Sequence, residues 1–268
     1  MTTTTLSDGT SLWYQRQGSG KLMLHIHGSA FGHRNFEKLT PIVSQYCQVI
    51  DFDLPGYGES RSPVPKASFE ALADMVFEFA QHFGAAPINV HGTSFGAMIA
   101  LALAARHPEA VDRLVLSCFL ARYDRAARLM RRTWKRAAMD SGMAAVADLT
   151  AVAGFSRSFY EREDAQAQLE SMYEAFERNL PQAFVASTEV IERTDLSGLV
   201  GKVRAPMLLL AGSEDNMTPF RPASSGFGFS DIRKQRPETS MHVLEDCGHY
   251  LVLEQPEQAS ALIRDFLA

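Results

Sequence analysis

The sequence predicts an α/β fold: a mostly parallel central sheet flanked by helices, with a helical insertion interrupting the later strands. Three observations predict it. Short apolar runs of strand length alternate with apolar or amphipathic stretches of helix length, the pattern of parallel strands joined by crossover helices. One strand-to-helix junction, Val90-His91-Gly92-Thr93-Ser94-Phe95-Gly96-Ala97, is a Gly-x-Ser-x-Gly turn. The alternation then stops from about residue 119 to 200, where no strand is evident and the chain reads as helices.

Each element follows in order. Ser7-Asp8-Gly9-Thr10 is a turn, and Leu12-Trp13-Tyr14 reads as an edge hairpin strand. Gly18-Ser19-Gly20 leads into a buried strand, Leu22–Ile26, which ends in the loop His27-Gly28-Ser29-Ala30-Phe31-Gly32-His33. Val49–Phe52 is the next strand and runs into the turn-rich Asp53-Leu54-Pro55-Gly56-Tyr57-Gly58-Glu59-Ser60. Phe69, Leu72, Ala73, Val76, Phe77, Ala80 and Phe83 recur at helical spacing, with Ser68 as N-cap. Pro87–Val90 feeds the serine turn, Ala97–Ala105 is a buried helix ended by Pro108, and Leu114–Leu116 is a strand. In the insertion, Ala126, Leu129, Met130, Thr133, Trp134, Ala137 and Ala138 share one predicted helix face, opposite Arg125, Arg128, Arg131, Arg132, Lys135 and Arg136. Helical material continues through 143–152 and 165–180. The sheet resumes at Pro206–Leu210 and Met241–Leu244, and Pro256–Leu267 closes the chain as an amphipathic helix. The expected division is a core of residues 1–118 and 201–268, with a cap of residues 119–200 inserted in it.

The composition narrows the function. A chain of 268 residues, 46% hydrophobic, can bury one large core. A net charge of −5, with both signs interspersed, argues against a nucleic-acid partner. No apolar run reaches the roughly 20 residues of a membrane helix, and the amino terminus, Met1 and four threonines, shows no signal peptide. The three cysteines, Cys47, Cys118 and Cys247, lack metal-type spacing and suit reduced thiols of a cytoplasmic protein. The expected partner is a small-molecule substrate; a homodimer is left open.

Ligands of parallel sheets bind beyond the carboxyl ends of the strands. Ser29, Ser94 and Asp215 each follow a predicted strand, so all fall at that end. A serine hydroxyl is a poor nucleophile at neutral pH and needs a base that is itself oriented by a third group. Of the eight histidines, His249 lies in a loop between the last strand and the last helix. Asp215, in Gly212-Ser213-Glu214-Asp215, directly follows a buried strand; its neighbour Glu214, and Asp246, are the other acids in range. The chain order Ser94, Asp215, His249 is that of a nucleophile-elbow hydrolase.

Together, His27-Gly28-Ser29, Asp53–Ser60, Gly92–Gly96, Gly212–Asp215 and Gly248-His249 make the chain, from Leu12 to its carboxyl terminus, resemble the α/β-hydrolase-fold enzymes. Within them it is most similar to the 3-oxoadipate enol-lactonase and lactone/ester hydrolase branch, through Val111–Ser117, Gly142–Asp148 and Asp195-Leu196 before Arg204-Ala205-Pro206. It departs from that branch at Gly154-Phe155-Ser156, where a Trp-Phe pair is expected, and at the glycine-rich Ala223–Phe229, where a regular helix is usual. The resemblance implies catalytic Ser94, His249 and Asp215 and an acyl-enzyme. It implies an oxyanion hole from the backbone N–H groups of Phe95 and Ser29, a pocket including His27, Met130 and Trp134, and no metal or cofactor. Asp53, His25, His91 and Met98 read as structural, and His27 as ordering the oxyanion loop by hydrogen bonds rather than transferring protons. The arginine-rich face reads as a solvated surface; alternatively, one arginine such as Arg131 turns inward to meet a substrate carboxylate.

The activity expected is hydrolysis of a carboxylic ester or lactone. A C–C bond hydrolase of ring-cleavage products is the alternative; its relatives carry more glycines where Ser29-Ala30-Phe31 stands. A ligand-binding protein and a cofactor-free perhydrolase or oxygenase use the same scaffold. Dehalogenases and epoxide hydrolases resemble it with an aspartate at the position of Ser94.

Overall fold

The structure is a computed structural model and describes residues 2–62, 68–84 and 87–268; Met1 of the polar amino terminus lies outside them. Eight strands form one sheet: β1 (Thr2–Thr5), β2 (Ser11–Gln17), β3 (Leu22–Ile26), β4 (Gln48–Phe52), β5 (Ile88–Thr93), β6 (Val111–Ser117), β7 (Met207–Gly212) and β8 (Ser240–Leu244). Their order across the sheet is β1-β2-β4-β3-β5-β6-β7-β8. β2 pairs antiparallel with β1 and β4, and every pairing from β4 to β8 is parallel. The edge therefore belongs to the threonine run rather than to Leu12–Tyr14. Thr2 faces Tyr14 and Thr5 faces Ser11, and β-branched threonines suit a pleated, half-exposed strand.

The helices are α1 (Thr40–Val43), α2 (Phe69–Gln81), α3 (Phe95–Arg106), α4 (Arg125–Asp140), α5 (Met143–Gly154), α6 (Ala165–Glu177), α7 (Pro181–Arg193), α8 (Phe229–Gln235), α9 (Leu251–Glu254) and α10 (Pro256–Leu267). Ser68 caps α2 as expected, its hydroxyl accepting from the Ala71 N–H. Side chains alternate across the sheet. Leu22, Leu24 and Ile26 join the core beneath α2 and α3, whereas Met23, with Val49, Val115, Leu208 and Leu210, packs under α1 and α10. The parallel strands are buried on both faces, which is why they read as unbroken apolar runs.

Helices α4 to α7 lie between β6 and β7 in the chain and supply most of a separate apolar cluster around Trp134, Val146, Phe159, Met172 and Phe176, which Phe31, Met217 and Tyr250 of the core complete. The sequence reading resolved this region less well. It ran helical material from 165 to 180, but the helix ends at Glu177, and Pro181 opens α7 at a first-turn position. In α4 the buried stripe is Ala127, Arg131, Trp134 and Ala138, whereas Leu129 is 57% exposed and Ala126 and Thr133 are also exposed. The helix is thus rotated from the face predicted by apolar counting, because the Arg131 guanidinium finds hydroxyls and aromatic rings beneath the insertion. After the glycine-rich stretch, α8 begins at Phe229.

β3 connects to β4 on one side, and the chain then crosses to β5 on the other side of β3. Beyond the carboxyl ends of β3 and β5 the sheet has its switch point, the usual location of a ligand site in such sheets. The insertion covers this end.

Candidate active site

Ser94 closes the turn between β5 and α3 with φ 53° and ψ −117°. A serine adopts that conformation only where the surroundings impose it. Here they do: a Cβ at Gly92 would run into the Gly96 carbonyl, and one at Gly96 into the Ile26 and His27 carbonyls. The two glycines let α3 approach β5 and β3 closely enough to leave Ser94 at the tip. Among the described residues, the other non-glycine residues with positive φ are Ala30, Cys118 and Asp246. Each follows the carboxyl end of a strand (β3, β6 and β8), so the backbone strain gathers at one end of the sheet.

The three residues expected from chain order meet there. His249 Nε2 lies 3.0 Å from Ser94 Oγ, and its Nδ1 lies 2.9 Å from Asp215 Oδ2. All three side chains are buried. Asp215 is held by four donors: the Met217 and Thr218 N–H groups reach Oδ1 at 2.9 and 2.8 Å, and the Thr218 hydroxyl shares Oδ2 with His249 at 2.7 Å. Burial by itself would raise the Asp215 pKa. The opposing pull of His249 and the hydrogen bonds from His249 and Thr218 outweigh it, and the carboxyl lies below its ordinary value. Glu214 points elsewhere and accepts the Arg157 N–H at 2.8 Å. Asp246 is exposed, and its backbone carbonyl accepts the Ser158 hydroxyl. The base is thereby fixed as a tautomer with Nδ1–H toward Asp215 and a free lone pair on Nε2 toward Ser94.

Cys118 Sγ, an Asp215 oxygen and a His249 nitrogen also lie within 4.8 Å of one another. The thiol is raised well above its usual pKa, by burial first and by the Asp215 charge second, and stays protonated. With both Asp215 oxygens and His249 Nδ1 already hydrogen bonded, this trio suits an acid–base pair better than a metal.

Phe95 is the first residue of α3, whose opening N–H groups have no acceptor within the helix. The Gly28-Ser29 segment lies across from it, and both residues line the cleft beside Ser94. His27 does not line it. Its ring is fully buried, with Nδ1 2.7 Å from the Gly28 carbonyl and Nε2 accepting the Leu54 N–H at 2.9 Å. Burial lowers its pKa, more than the Asp53 charge and the Gly28 hydrogen bond raise it, so the ring is neutral and braces the loop. Asp53 does similar work one layer below, accepting the His33 and Glu59 N–H groups at 2.5 and 2.8 Å. His25 pairs with Asp51 and His91 with Ser117, both inside the core.

The cleft is narrow, about 20 Å³, room for about one water. Trp134, Phe176, Phe184, Met217 and Tyr250 supply its apolar wall, so Trp134 stands where the sequence placed it. Met130 does not reach the cleft and packs half-buried against that separate apolar cluster, the rotation of α4 having carried it aside.

Sequence reasoning missed the seam that joins the insertion to the His249 loop. The Gly154 carbonyl, at the end of α5, accepts the His249 N–H at 2.6 Å. Glu254 accepts the Gly248 N–H at 2.9 Å, the Ser156 N–H at 3.1 Å and the Ser156 hydroxyl at 2.6 Å. Its pKa is raised by burial despite these bonds. The five-residue spacing from His249 carried the only signal. Glu254→Ala leaves the buried Gly248 and Ser156 N–H groups without partners, at about 1–3 kcal/mol each before relaxation, while the Ser156 hydroxyl can still turn to Ser158 Oγ at 3.1 Å. The expected result is a lower unfolding midpoint and a fall of about 10–100-fold in kcat as the imidazole loses its alignment. Calorimetry and steady-state kinetics check this; unchanged kcat in a destabilised protein would confine Glu254 to the fold.

Residues 23–262 match the model of the Alpha/beta hydrolase family. A pimeloyl-acyl-carrier-protein methyl ester esterase of Neisseria meningitidis is 28% identical over 256 residues, covering 90% of this chain and 91% of that one. A 2-hydroxy-6-oxononadienedioate/2-hydroxy-6-oxononatrienedioate hydrolase of Dechloromonas aromatica is 26% identical over 279 residues, covering 96% and 90%. The solved enol-lactonase of Burkholderia xenovorans superposes with a TM-score of 0.85 at 22% identity, covering 99% of each chain.

Proposed function

The chain belongs to the alpha/beta hydrolase family, and from that premise we propose that it cleaves a carboxylic ester or lactone through an acyl-enzyme on Ser94. One observation carries the reading: His249 bridges Ser94 Oγ and Asp215 Oδ2 at 3.0 and 2.9 Å in a buried site.

The mechanism follows from these contacts. Ser94 Oγ attacks the carbonyl carbon as its proton passes to His249 Nε2. The imidazolium so formed is stabilised by Asp215, whose other oxygen is anchored by the Met217 and Thr218 N–H groups. The tetrahedral oxyanion takes hydrogen bonds from the Phe95 and Ser29 N–H groups, donors typically worth ~10²–10³ each in rate. Collapse expels the alcohol oxygen, which receives its proton from His249. Water, deprotonated by the same ring, then attacks the acyl-enzyme and releases the acid and Ser94. For a lactone the expelled oxygen stays tethered to the acyl group. Residues 119–200 act as a cap over this site.

A second reading, hydrolysis of a C–C bond in a vinylogous diketone, is supported by the likeness to the Dechloromonas enzyme along 96% of the chain. Both readings use the same residues, so substrates must separate them. A panel of p-nitrophenyl esters, simple lactones and a vinylogous diketone does so. Turnover of esters or lactones is the expected result. Cleavage of the diketone alone would replace the ester reading with the second. Absence of all turnover, together with failure of a serine-directed phosphonate to label the protein, would end both and leave a binding protein.

A further inference from the structure

We propose that Arg131 anchors a carboxylate carried by the substrate, so that the preferred ester or lactone has an anionic group on its acyl or alcohol part. The inference rests on the hydrolase reading above and narrows its substrate class.

Arg131 is 4% exposed on the buried stripe of α4, while Arg125, Arg128, Arg132 and Arg136 of the same helix are exposed. Among the described residues it is the one Lys, Arg, Asp or Glu in the wall of the cleft that holds Ser94 and His249. Its Nη1 donates to Ser29 Oγ at 3.4 Å and its Nη2 to Tyr123 Oη at 3.3 Å, both long bonds to neutral oxygens. Nε is buried with no acceptor. Among the described residues no carboxylate pairs with it. Tyr57, close by under the same loop, supplies no counter-charge either: burial pushes its pKa up to about 12, and its hydroxyl donates to the Ala183 carbonyl at 3.1 Å.

A purely structural arginine would not be left this way. A buried guanidinium costs several kcal/mol in lost hydration unless it is paired. The rings of Tyr123 and Trp134, 5.7 and 5.2 Å from Cζ, offset part of that and hold the group flat, but they bring no negative charge. What is missing is an anion, and the open side of the guanidinium is the cleft. The planar fork suits a carboxylate in a bidentate pair. The bond to Ser29 Oγ places the guanidinium next to the loop proposed to bind the oxyanion. A carboxylate on Arg131 therefore lies a short distance from the reacting carbonyl, within one molecule.

The test uses substrates matched in chain length, mono-p-nitrophenyl adipate against p-nitrophenyl hexanoate. The wild-type protein is expected to favour the half-ester. Arg131→Gln should lower kcat/KM for the half-ester by about 10–100-fold, chiefly through KM. Its kcat/KM for the hexanoate should fall much less than for the half-ester, so that the preference for the half-ester collapses, and Arg131→Lys should fall between, keeping the charge without the fork. Equal losses on both substrates would overturn the inference and make Arg131 a support for Ser29. A wild-type protein with no preference for the half-ester would also overturn it. Binding gives a readout that needs no turnover. Monomethyl adipate should raise the unfolding midpoint of Ser94→Ala more than dimethyl adipate does, and Ser94→Ala/Arg131→Gln should lose that difference. An equal shift with both esters counts against the anion site. A retained difference in a protein that hydrolyses no ester would overturn the hydrolase reading while the anion site stands.

Discussion

Ser94→Ala is expected to lower kcat by about 10⁶-fold, the scale seen when the nucleophile of such a triad is removed. The size follows from what is lost. Without Oγ, His249 has no proton to take and no acyl-enzyme forms; the oxyanion donors and binding leave a residual rate. The backbone is not asked to change. Alanine meets the same strain at φ 53° as serine does, and the hydroxyl's one direct partner is His249 Nε2. The unfolding midpoint should therefore stay near wild type while phosphonate labelling disappears. The measurement is kcat on whichever ester the panel identifies, beside a thermal melt. Full activity in a well-folded Ser94→Ala protein would remove the covalent mechanism.

Asp215→Asn is expected to lower kcat by about 10⁴-fold. Its carboxylate has distinct sides. Oδ1 receives the Met217 and Thr218 N–H groups, and Oδ2 faces His249 Nδ1 and the Thr218 hydroxyl. An asparagine keeps its oxygen toward the two N–H donors, which turns its NH₂ toward Nδ1. The imidazole must then accept at Nδ1 and carry its proton on Nε2, where it cannot act as base for Ser94. The geometry survives and the chemistry fails. Glu214→Gln is the control. Glu214 contacts the Arg157 N–H, so kcat should stay near wild type. If Glu214→Gln is the inactive variant and Asp215→Asn is not, the acid has been assigned to the wrong neighbour.

Much of the site was legible in one dimension because it lies at strand ends. A strand followed by a Gly-bounded serine, a strand followed by Gly-Ser-Glu-Asp, and a Gly-His between the last strand and the last helix all mark the same edge of a parallel sheet. Their convergence needs only that the strands run parallel. Ser94 and His249 were therefore legible from order, Asp215 was preferred over its neighbour Glu214 without being separated from it, and the glycines at 92 and 96 stood out by the close approach they permit. The edge strand was misplaced because four threonines carry no hydrophobic pattern, and β1 forms by pairing with β2. His27, counted with the pocket, does not reach it; it braces the loop through Gly28 and Leu54, the ordering role that its place in the loop also suggested.

The insertion was the harder part, for a physical reason. A helix rotates to satisfy what it packs on, and apolar counting assumes that this is another apolar face. α4 packs on Ser29, Tyr123 and the cleft, so its buried stripe includes Arg131, while Leu129 is left outside. Glu254 is a similar case: its three donors come from Gly248 and Ser156, and no spacing in the sequence brings Ser156 to it.

Local periodicity and the residues that follow strands are enough to specify the parallel sheet, the strained serine turn and the chain order Ser94, Asp215, His249. Which way α4 turns, which carboxylate of the Glu214-Asp215 pair meets His249, and what anchors the His249 loop are settled by packing in three dimensions. Those outcomes depend on groups far apart in the chain, brought together when buried charges and N–H groups must find partners away from water.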